Sequence, residues 1–267
     1  MQNNQAQREV IGLVPMAGKA SRIAPLPCSK ELYPIGYRQI QGEGGMRPKV
    51  VSHYLLERMR HANIRKAFII LREGKWDIPT YFGDGTMLNM HIAYLMMNLP
   101  YGVPYTLDQA FPFVQDATVA LGFPDMIFQP EDAYKKLIAK LEESGADIVL
   151  GLFPADKPHK TDMVEFDTDG HIRSIHIKPA SSELIYSWEI AVWTPLFSHY
   201  LHDYVQVVLK KKTVPDGANE LFVGDVIQAA ISDKLRVESV IFQDGNFLDI
   251  DTPEDLMKAV HSANKVS

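Results

Sequence analysis

Residues 13–36 read LVPMAGKASRIAPLPCSKELYPIG, and they join a hydrophobic strand to a long loop without regular pattern. Several prolines restrict the backbone of this loop, and two basic residues, Arg22 and Lys30, lie within it. An ordinary strand-to-helix connection explains the glycine and the prolines. It does not explain why two cations lie on a rigid loop.

Two common nucleotide-binding motifs do not fit this loop. A P-loop has four residues between its glycines and then Lys followed by Ser or Thr. Here five residues separate Gly12 from Gly18, and Ala20 has no hydroxyl group for a metal ion. The glycines of the dinucleotide fingerprint G-x-G-x-x-G are absent as well.

Apolar runs of strand length recur up to residue 155, and they are continuous rather than alternating. Continuous runs predict strands that are covered on both faces. Helical patterns lie between them, at 49–63 and 130–144. The alternation predicts an α/β fold, a three-layer arrangement with a mainly parallel central sheet between helices. The runs are VIGLVP (10–15), AFIIL (67–71), HIAYL (91–95), ATVALGF (117–123) and ADIVLGLF (146–153).

The pattern changes after residue 155. MVEFDTDGHIRSIHI (163–177) predicts a hairpin that turns at its Asp-Gly pair. We find no linker, repeat or low-complexity segment, which predicts a single domain over 1–267. The other predicted elements are strands at 187–193 and 235–242 and helices near 195–210, near 219–232 and from Pro253.

Composition excludes several classes of protein. The chain has 267 residues, of which 46% are hydrophobic, enough for a sizeable core. Its net charge of −6 argues against non-specific nucleic-acid binding. The single cysteine, Cys28, excludes an intrachain disulfide and fits a reducing compartment. The polar N-terminus lacks the apolar core of a signal peptide, and no apolar run approaches the roughly 20 residues that span a bilayer. We therefore expect a cytoplasmic protein without nucleic-acid or membrane partners.

The opening loop resembles the first motif of the sugar-1-phosphate nucleotidyltransferases, or nucleoside-diphosphate-sugar pyrophosphorylases, especially glucose-1-phosphate thymidylyltransferase-like proteins. Their pattern is roughly L-A-G-G-x-G-[ST]-R-[LF]-x-P-L, followed by a lysine before L-x-P-I, and MAGKASRIAPL and SKELYPI match it. The resemblance covers nearly the whole chain. Its last segment, which begins at Phe247, corresponds to the family pattern W-x-D-[IT]-G-T. The further segments are RPKVVSHYLLERMRHANIRKAFII (47–70), YFGDGTMLNMHIAY (81–94), TLDQA (106–110), VALGFPDMIF (119–128), VEFDTDGHIRSIHIKP (164–179), ELFVGDVIQAAI (220–231) and FLDIDTPEDLMKA (247–259).

The resemblance implies a nucleotide-diphospho-sugar transferase-like fold and a nucleotidyl transfer. The phosphate of a sugar-1-phosphate or a related ester attacks the α-phosphorus of an NTP, and pyrophosphate leaves. The catalytic roles fall on Arg22 and Lys30, which would hold the triphosphate, and on Lys178, which would hold the attacking phosphate. From the residues alone, Lys178 also fits a solvated strand end. The implied nucleotide-binding residues are Met16, Ala17, Gly18, Ser21, Arg22, Tyr101 and Thr106.

Asp125 and Asp249 align with the two acids that hold Mg²⁺ in the family. Carboxylate oxygens are ligands that Mg²⁺ prefers, and each aspartate follows an apolar strand, so both could project into one cleft. The residues alone leave alternatives open. Asp125 also fits a turn after a proline, and Asp249 also fits an acid near a helix start, although Asp251 and Thr252 are better placed to cap that helix.

The predicted acceptor-binding residues are Ile177, Lys178, Trp188 and Glu189. Ile177 replaces the glutamate of the family's E-K-P, and Trp188 and Glu189 stand where a small glycine-containing strand end lies beside the sugar. Glucose-1-phosphate is therefore not the expected acceptor. Tyr101 replaces the glutamine that the family has in its base-reading segment. The resemblance therefore does not indicate which nucleobase this chain would bind.

The sequence thus predicts a Mg²⁺-dependent nucleotidyltransferase acting in nucleotide sugar biosynthesis. Residues 1–155 would form its nucleotide-binding part and 156–267 its acceptor-binding part. Its partners would be an NTP and a phosphorylated small-molecule acceptor, with a homo-oligomer left open. The alternative is a non-catalytic nucleotide- or sugar-phosphate-binding module, since Ala17 and Ala20 replace family glycines. The chain keeps all five charged residues that the family pattern requires, and this argues against a non-catalytic module. These residues are Arg22, Lys30, Asp125, Lys178 and Asp249.

Overall fold

The structure is a computed structural model that describes residues 8–39, 45–98, 102–211 and 220–263. Its longest helix has 16 residues, and none of the helices in these ranges is long and apolar enough to cross a membrane. The strands are β1 (Val10–Pro15), β2 (Pro34–Gln39), β3 (Met46–Val50), β4 (Lys66–Leu71), β5 (His91–Met96), β6 (Thr118–Leu121), β7 (Met126–Gln129), β8 (Ile148–Pro154), β9 (Met163–Phe166), β10 (Ile172–His176), β11 (Tyr186–Trp193), β12 (Val237–Ile241) and β13 (Asn246–Asp249). The helices are α1 (Val51–His61), α2 (Asp77–Phe82), α3 (Val103–Asp108), α4 (Phe111–Val114), α5 (Ala133–Ser144), α6 (Pro195–Lys210), α7 (Val223–Ser232) and α8 (Pro253–Ala263).

Nine strands form the central sheet, in the order β10-β9-β11-β6-β1-β4-β5, with β8 pairing β11 and carrying β12. Seven of the nine strands run in one direction, and only β10 and β11 oppose them. The predicted α/β fold with a mainly parallel central sheet is therefore confirmed.

Helices cover both faces of this sheet, because the side chains of each strand alternate between two cores. In β8, Val149 and Phe153 belong to the core under α1, α2 and α5. Their neighbours Leu150 and Leu152 belong to the core under α3, α4, α6 and α7. This is why the apolar runs are continuous, and it confirms the three-layer arrangement.

The predicted hairpin at 163–177 is formed by β9 and β10. Asp167 Oδ1 accepts the backbone N–H groups of Asp169 and His171, each at 3.0 Å. Gly170 has a φ of +87°, a left-handed conformation that glycine adopts without steric cost.

Two small sheets lie outside the central one, and both shape the site. β2 pairs β3, and β7 pairs β13, each antiparallel. A third core cluster lies beside them and joins the loop after β1, β2, the start of α1, the residue after β13, and α8. Its buried members are Ile23, Ile35, Val51, Ile250 and Ala259.

Candidate active site

Lys30 is fixed in place by its two neighbours in the chain. The backbone N–H and the hydroxyl of Ser29 both donate to the carboxylate of Asp77, each at 2.7 Å. Glu31 forms a buried ion pair with Lys75. The Lys30 side chain between these anchors is only 8% exposed. A buried lysine held from both sides has little freedom to adopt another position.

Four of the residues predicted to hold the triphosphate and the metal meet at one point. Lys30 Nζ lies 2.7 Å from Asp125 Oδ2 and 3.1 Å from Asp251 Oδ1, and Arg22 Nη2 lies 2.6 Å from Asp251 Oδ2. Asp125, Asp249 and Asp251 each place one carboxylate oxygen within 4.8 Å of the others. We call Arg22, Lys30 and these three aspartates the charged cluster.

The β7–β13 pair brings the aspartates together from distant parts of the chain. Asp249 lies opposite Met126 in the register, and the N–H of Ile250 donates to the carbonyl of Asp125 at 3.0 Å. Ile250 belongs to the same core cluster as Ile23, the residue after Arg22. Packing in that cluster therefore fixes the loop cation and the aspartates relative to one another.

Negative charge is in excess in the charged cluster. Burial raises the pKa of Asp249, and the neighbouring carboxylates of Asp125 and Asp251 raise it further. Burial lowers the pKa of Lys30, but Asp125 and Asp251 outweigh it and bring the pKa above its usual value. Burial also acts on Asp251, yet Lys30 and Arg22 hold its pKa below the usual range. Arg22 and Lys30 do not fully neutralise the three carboxylates of the cluster. Three carboxylate oxygens that remain partly uncompensated are suitable ligands for a hard divalent cation.

Two cavities adjoin the charged cluster and share Arg22, Asp125 and Asp251. The first, of about 240 Å³, lies under the loop after β1 and is also lined by Gly18, Ser21 and Lys30. The second, of about 230 Å³, is also lined by Lys178, Trp188, Glu189 and Asp249. We call them the loop cavity and the β11 cavity. A ligand bound in the loop cavity and a ligand bound in the β11 cavity would therefore come into contact at the charged cluster.

A bulge in β11 explains why two consecutive side chains line the β11 cavity. The pairing with β8 shifts between Trp188 and Ile190, so Glu189 has no partner in the register. Bulges commonly re-aim side chains in this way. Glu189 is 4% exposed and accepts a hydrogen bond from the Ser187 hydroxyl.

Lys178 lines the β11 cavity together with the two bulge residues. Its φ of +38° is uncommon for a residue other than glycine, and its Nζ lies 4.2 Å from the centre of the Phe222 ring. Backbone strain of this kind clusters at functional sites.

Other predicted site residues lie elsewhere. Met16 is buried, and its N–H donates to Ile70 O at 2.8 Å. Thr106 is buried in α3, where its hydroxyl contacts Met97 Sδ at 2.9 Å. Ile177 packs against Gly224 at the start of α7, since a Cβ there would lie 2.5 Å from Ile177 Cδ1. Ala17 is half-buried against the core, and Tyr101 lies outside the described residues.

The sequence reasoning missed two acids of the site. It assigned Asp251 to helix capping, but Thr252 Oγ1 accepts the N–H of Asp255 at 3.2 Å, and Asp251 faces the cations. The signal was present, because Asp251 stands where the W-x-D-[IT]-G-T pattern has glycine. Asp162, which lines the β11 cavity just before β9, has no comparable signal in the sequence.

Comparisons with known proteins match most of the chain. A family model described as nucleotidyl transferase matches residues 12–265. The chain is 22% identical over 251 residues to the low-salt glycan biosynthesis nucleotidyltransferase of Haloferax volcanii, covering 93% of this chain and 64% of that protein. It is 23% identical over 250 residues to a glucose-1-phosphate thymidylyltransferase of Streptomyces griseus, covering 92% of this chain and 64% of that protein. The chain therefore spans about 64% of the length of each relative.

The fold also matches solved structures. One is a Bacillus anthracis protein in complex with sucrose, provisionally assigned as a glucose-1-phosphate thymidylyltransferase. It superposes with a TM-score of 0.79 at 17% identity, covering 97% of this chain and 96% of that chain. This likeness confirms the predicted fold.

Proposed function

Because the chain belongs to the nucleotidyl transferase family, we propose that it joins an NTP to a sugar-1-phosphate or a related phosphate ester. An oxygen of the acceptor phosphate forms a bond to the α-phosphorus of the NTP. The bond from the α-phosphorus to the bridging oxygen breaks, and pyrophosphate leaves with the electron pair. The attacking phosphate is already an anion, so catalysis requires positioning and charge neutralisation rather than a general base.

The observation that carries this proposal is the charged cluster between two cavities. The loop cavity would take the triphosphate, with the exposed Arg22 forking onto phosphate oxygens and the buried Lys30 supplying a fixed positive charge. The β11 cavity would take the acceptor, with Lys178 holding its phosphate. The two reacting groups would then meet beside Arg22, Asp125 and Asp251.

The carboxylates Asp125, Asp249 and Asp251 would hold a Mg²⁺ ion. When bound, the ion supplies further neutralisation of the triphosphate charge. The exposed Arg22 would exchange its contact with Asp251 for contacts with phosphate, while Lys30 would stay in place. A cytoplasmic location belongs to the same proposal and is supported by the single cysteine.

The test is pyrophosphate release from each of the common NTPs with a panel of phosphate esters, with and without Mg²⁺. We expect release that needs both an ester and Mg²⁺. A non-catalytic binding module would bind NTP but release no pyrophosphate under any of these conditions.

Asp249→Asn tests the assignment of the metal ligands. We expect the variant to lose metal-dependent turnover while its melting temperature stays level or rises slightly, because burial and the carboxylates of Asp125 and Asp251 already oppose the charge of Asp249. The matched control is Asp147→Asn, which alters another half-buried carboxylate, one that accepts the N–H of Arg236 at 2.8 Å. Asp147→Asn should keep its turnover. An Asp249→Asn protein that unfolds, with full activity in its soluble fraction, would show that Asp249 is structural.

A further inference from the structure

The β11 cavity contains two buried carboxylates for which the proposed phosphoryl chemistry has no use. Asp162 is 9% exposed and Glu189 is 4% exposed, and both line the cavity. Asp162 Oδ1 and Trp188 Nε1 are both buried, and neither makes a hydrogen bond of good geometry among the described residues. The Trp188 side chain and the backbone of Lys178 lie close enough to oppose the rise that burial causes in the pKa of Asp162, but they do not satisfy Oδ1. A buried carboxylate oxygen without a partner is costly, and it points to a group that arrives with the ligand.

Both carboxylates are fixed by the backbone around them. Glu189 is the extra residue of the β11 bulge. Asp162 packs against Gly224 at the start of α7, where a Cβ would lie only 2.4 Å from Asp162 Oδ2. A larger residue at position 224 would push the Asp162 side chain away from its present place. The glycine therefore helps to keep the Asp162 carboxylate in the cavity wall.

The β11 cavity is also lined by basic and aromatic side chains. Lys160 and Lys178 supply positive charge suited to a phosphate. Phe123 and Trp188 line the cavity with their rings, whose centres are 6.0 Å apart. Aromatic faces next to carboxylates form a favourable environment for an organic cation. The lysines are suited to a phosphate, and the two acids are suited to a positively charged group. The cavity therefore fits a ligand that carries both a phosphate and a positive charge.

We propose that the acceptor is a phosphate ester whose organic part carries a positively charged nitrogen, held by Asp162 and Glu189 while Lys178 holds the phosphate. The inference rests on the proposed function, because it names the acceptor of the same reaction. Amino alcohols, amino sugars and quaternary ammonium alcohols all provide this chemistry as phosphate esters. Neutral sugar phosphates would bring no positive charge to the two buried acids.

The electrostatics of the two acids agree with this assignment. Burial raises the pKa of Asp162 to about 6, although Lys178 opposes the shift. Burial raises the pKa of Glu189 to about 8, and the charge of Asp162 contributes to the increase. A bound cation would favour the ionised form of both acids and so would recover part of the cost of their burial.

The experiment compares cationic esters with neutral isosteres in pyrophosphate release, using the full chain with Mg²⁺ and each NTP. The pairs are phosphocholine with 3,3-dimethylbutyl phosphate, 2-aminoethyl phosphate with propyl phosphate, and glucosamine-1-phosphate with glucose-1-phosphate. We expect kcat/KM to favour the cationic member of at least one pair by about tenfold or more, the effect of one charge-assisted contact. The pair with the largest preference identifies the source of the nitrogen.

Asp162→Asn and Glu189→Gln should each reduce this preference and act mainly on the cationic member. The control is Glu238→Gln, since Glu238 is a buried glutamate of β12 that pairs with Arg236 and is only 1% exposed. Glu238→Gln should leave the preference intact. Neutral members that react as well as the cationic members in all pairs would overturn the inference and leave the proposed function standing.

Binding separates the two failures. If no ester releases pyrophosphate with any NTP, the proposed function fails, and calorimetry on the same pairs then decides the inference. Tighter binding of a cationic ester, lost in Asp162→Asn or Glu189→Gln, would still support a cation site. Equal binding within every pair, or no binding of any ester, would overturn it.

Discussion

At the scale of single residues, the two loop cations have different environments and so should tolerate different changes. The Arg22 side chain is 65% exposed and its guanidinium reaches over the cluster, whereas Lys30 is 8% exposed and lies between two carboxylates. An exposed guanidinium can turn toward phosphate and bind it with two parallel hydrogen bonds. A buried ammonium acts as a fixed point charge.

Arg22→Lys should therefore weaken NTP binding although the charge is kept. Losing one charge-assisted hydrogen bond should raise the Kd for NTP by about tenfold or more. Calorimetric titration with NTP measures this. The control is Arg173→Lys, because the Arg173 side chain is also 65% exposed and also pairs with one aspartate. An unchanged Kd in Arg22→Lys would remove Arg22 from the nucleotide site.

Ala20 provides a second test at this scale. Its φ of +52° lies in the left-handed region, which costs a non-glycine residue roughly 1–2 kcal/mol. Ala20→Gly should relieve this strain, and the free energy of unfolding should stay level or rise by up to about 1 kcal/mol after the entropy cost of glycine. Urea unfolding measures the change. Ala17→Gly, at a half-buried position outside that region, should destabilise instead. If both substitutions lowered the free energy of unfolding, the proposed left-handed strain at Ala20 would be contradicted.

At the scale of elements, the β11 bulge determines a pH dependence. It buries Glu189, and this burial raises the pKa to about 8 from an ordinary 4.5, so the folded chain binds a proton that the unfolded chain releases. Stability from this group is present below about pH 4.5 and declines as the pH rises toward 8. Ser187 donates to Glu189, and Asp162, Lys160 and Lys178 face the same cavity.

Glu189→Gln should remove this decline. Its melting temperature should match the wild type near pH 5 and exceed it by at least about 2 °C near pH 8.5, as a gain of about 1 kcal/mol would produce in a chain of this size. Differential scanning calorimetry at both pH values measures the difference. Glu238→Gln should give no such increase at pH 8.5, because its carboxylate is already paired with Arg236. A parallel shift of Glu189→Gln at both pH values would indicate a packing effect instead.

The elements also show what the sequence could predict. Apolar runs identified β1, β4, β5, β6 and β8, because these strands contribute side chains to two cores and therefore need continuous hydrophobicity. β7 and β13 have four residues each and pair across more than a hundred positions, so no local pattern predicts their contact. That contact joins Asp125 to Asp249. Sequence motifs therefore singled out Asp125 and Asp249 as candidates, while only the β7–β13 register explains how they meet and why Asp251 joins them.

At the scale of the whole molecule, the predicted nucleotide-binding and acceptor-binding parts are interleaved in one sheet. β11 lies between β6 and β8, so a strand from after residue 155 separates two strands from before it. β8 has β11 and β12 as its partners. β7 pairs β13 in the same manner outside the central sheet. Cutting the chain after residue 155 would leave β8 without either partner.

We therefore expect the chain to unfold as one cooperative unit. Urea unfolding should give a single transition whose midpoint is the same by far-ultraviolet circular dichroism and by tryptophan fluorescence, which reports on the buried Trp188 and Trp193 of β11. Fragments 1–155 and 156–267 should each fail to show a cooperative transition, because β8 and β11 expose their apolar faces and backbone groups once they are separated. Mixing the two fragments should restore part of the secondary structure if they meet in solution. A cooperative transition in fragment 1–155 alone would show that the nucleotide-binding part is an independent domain, and the single domain predicted over 1–267 would then be wrong.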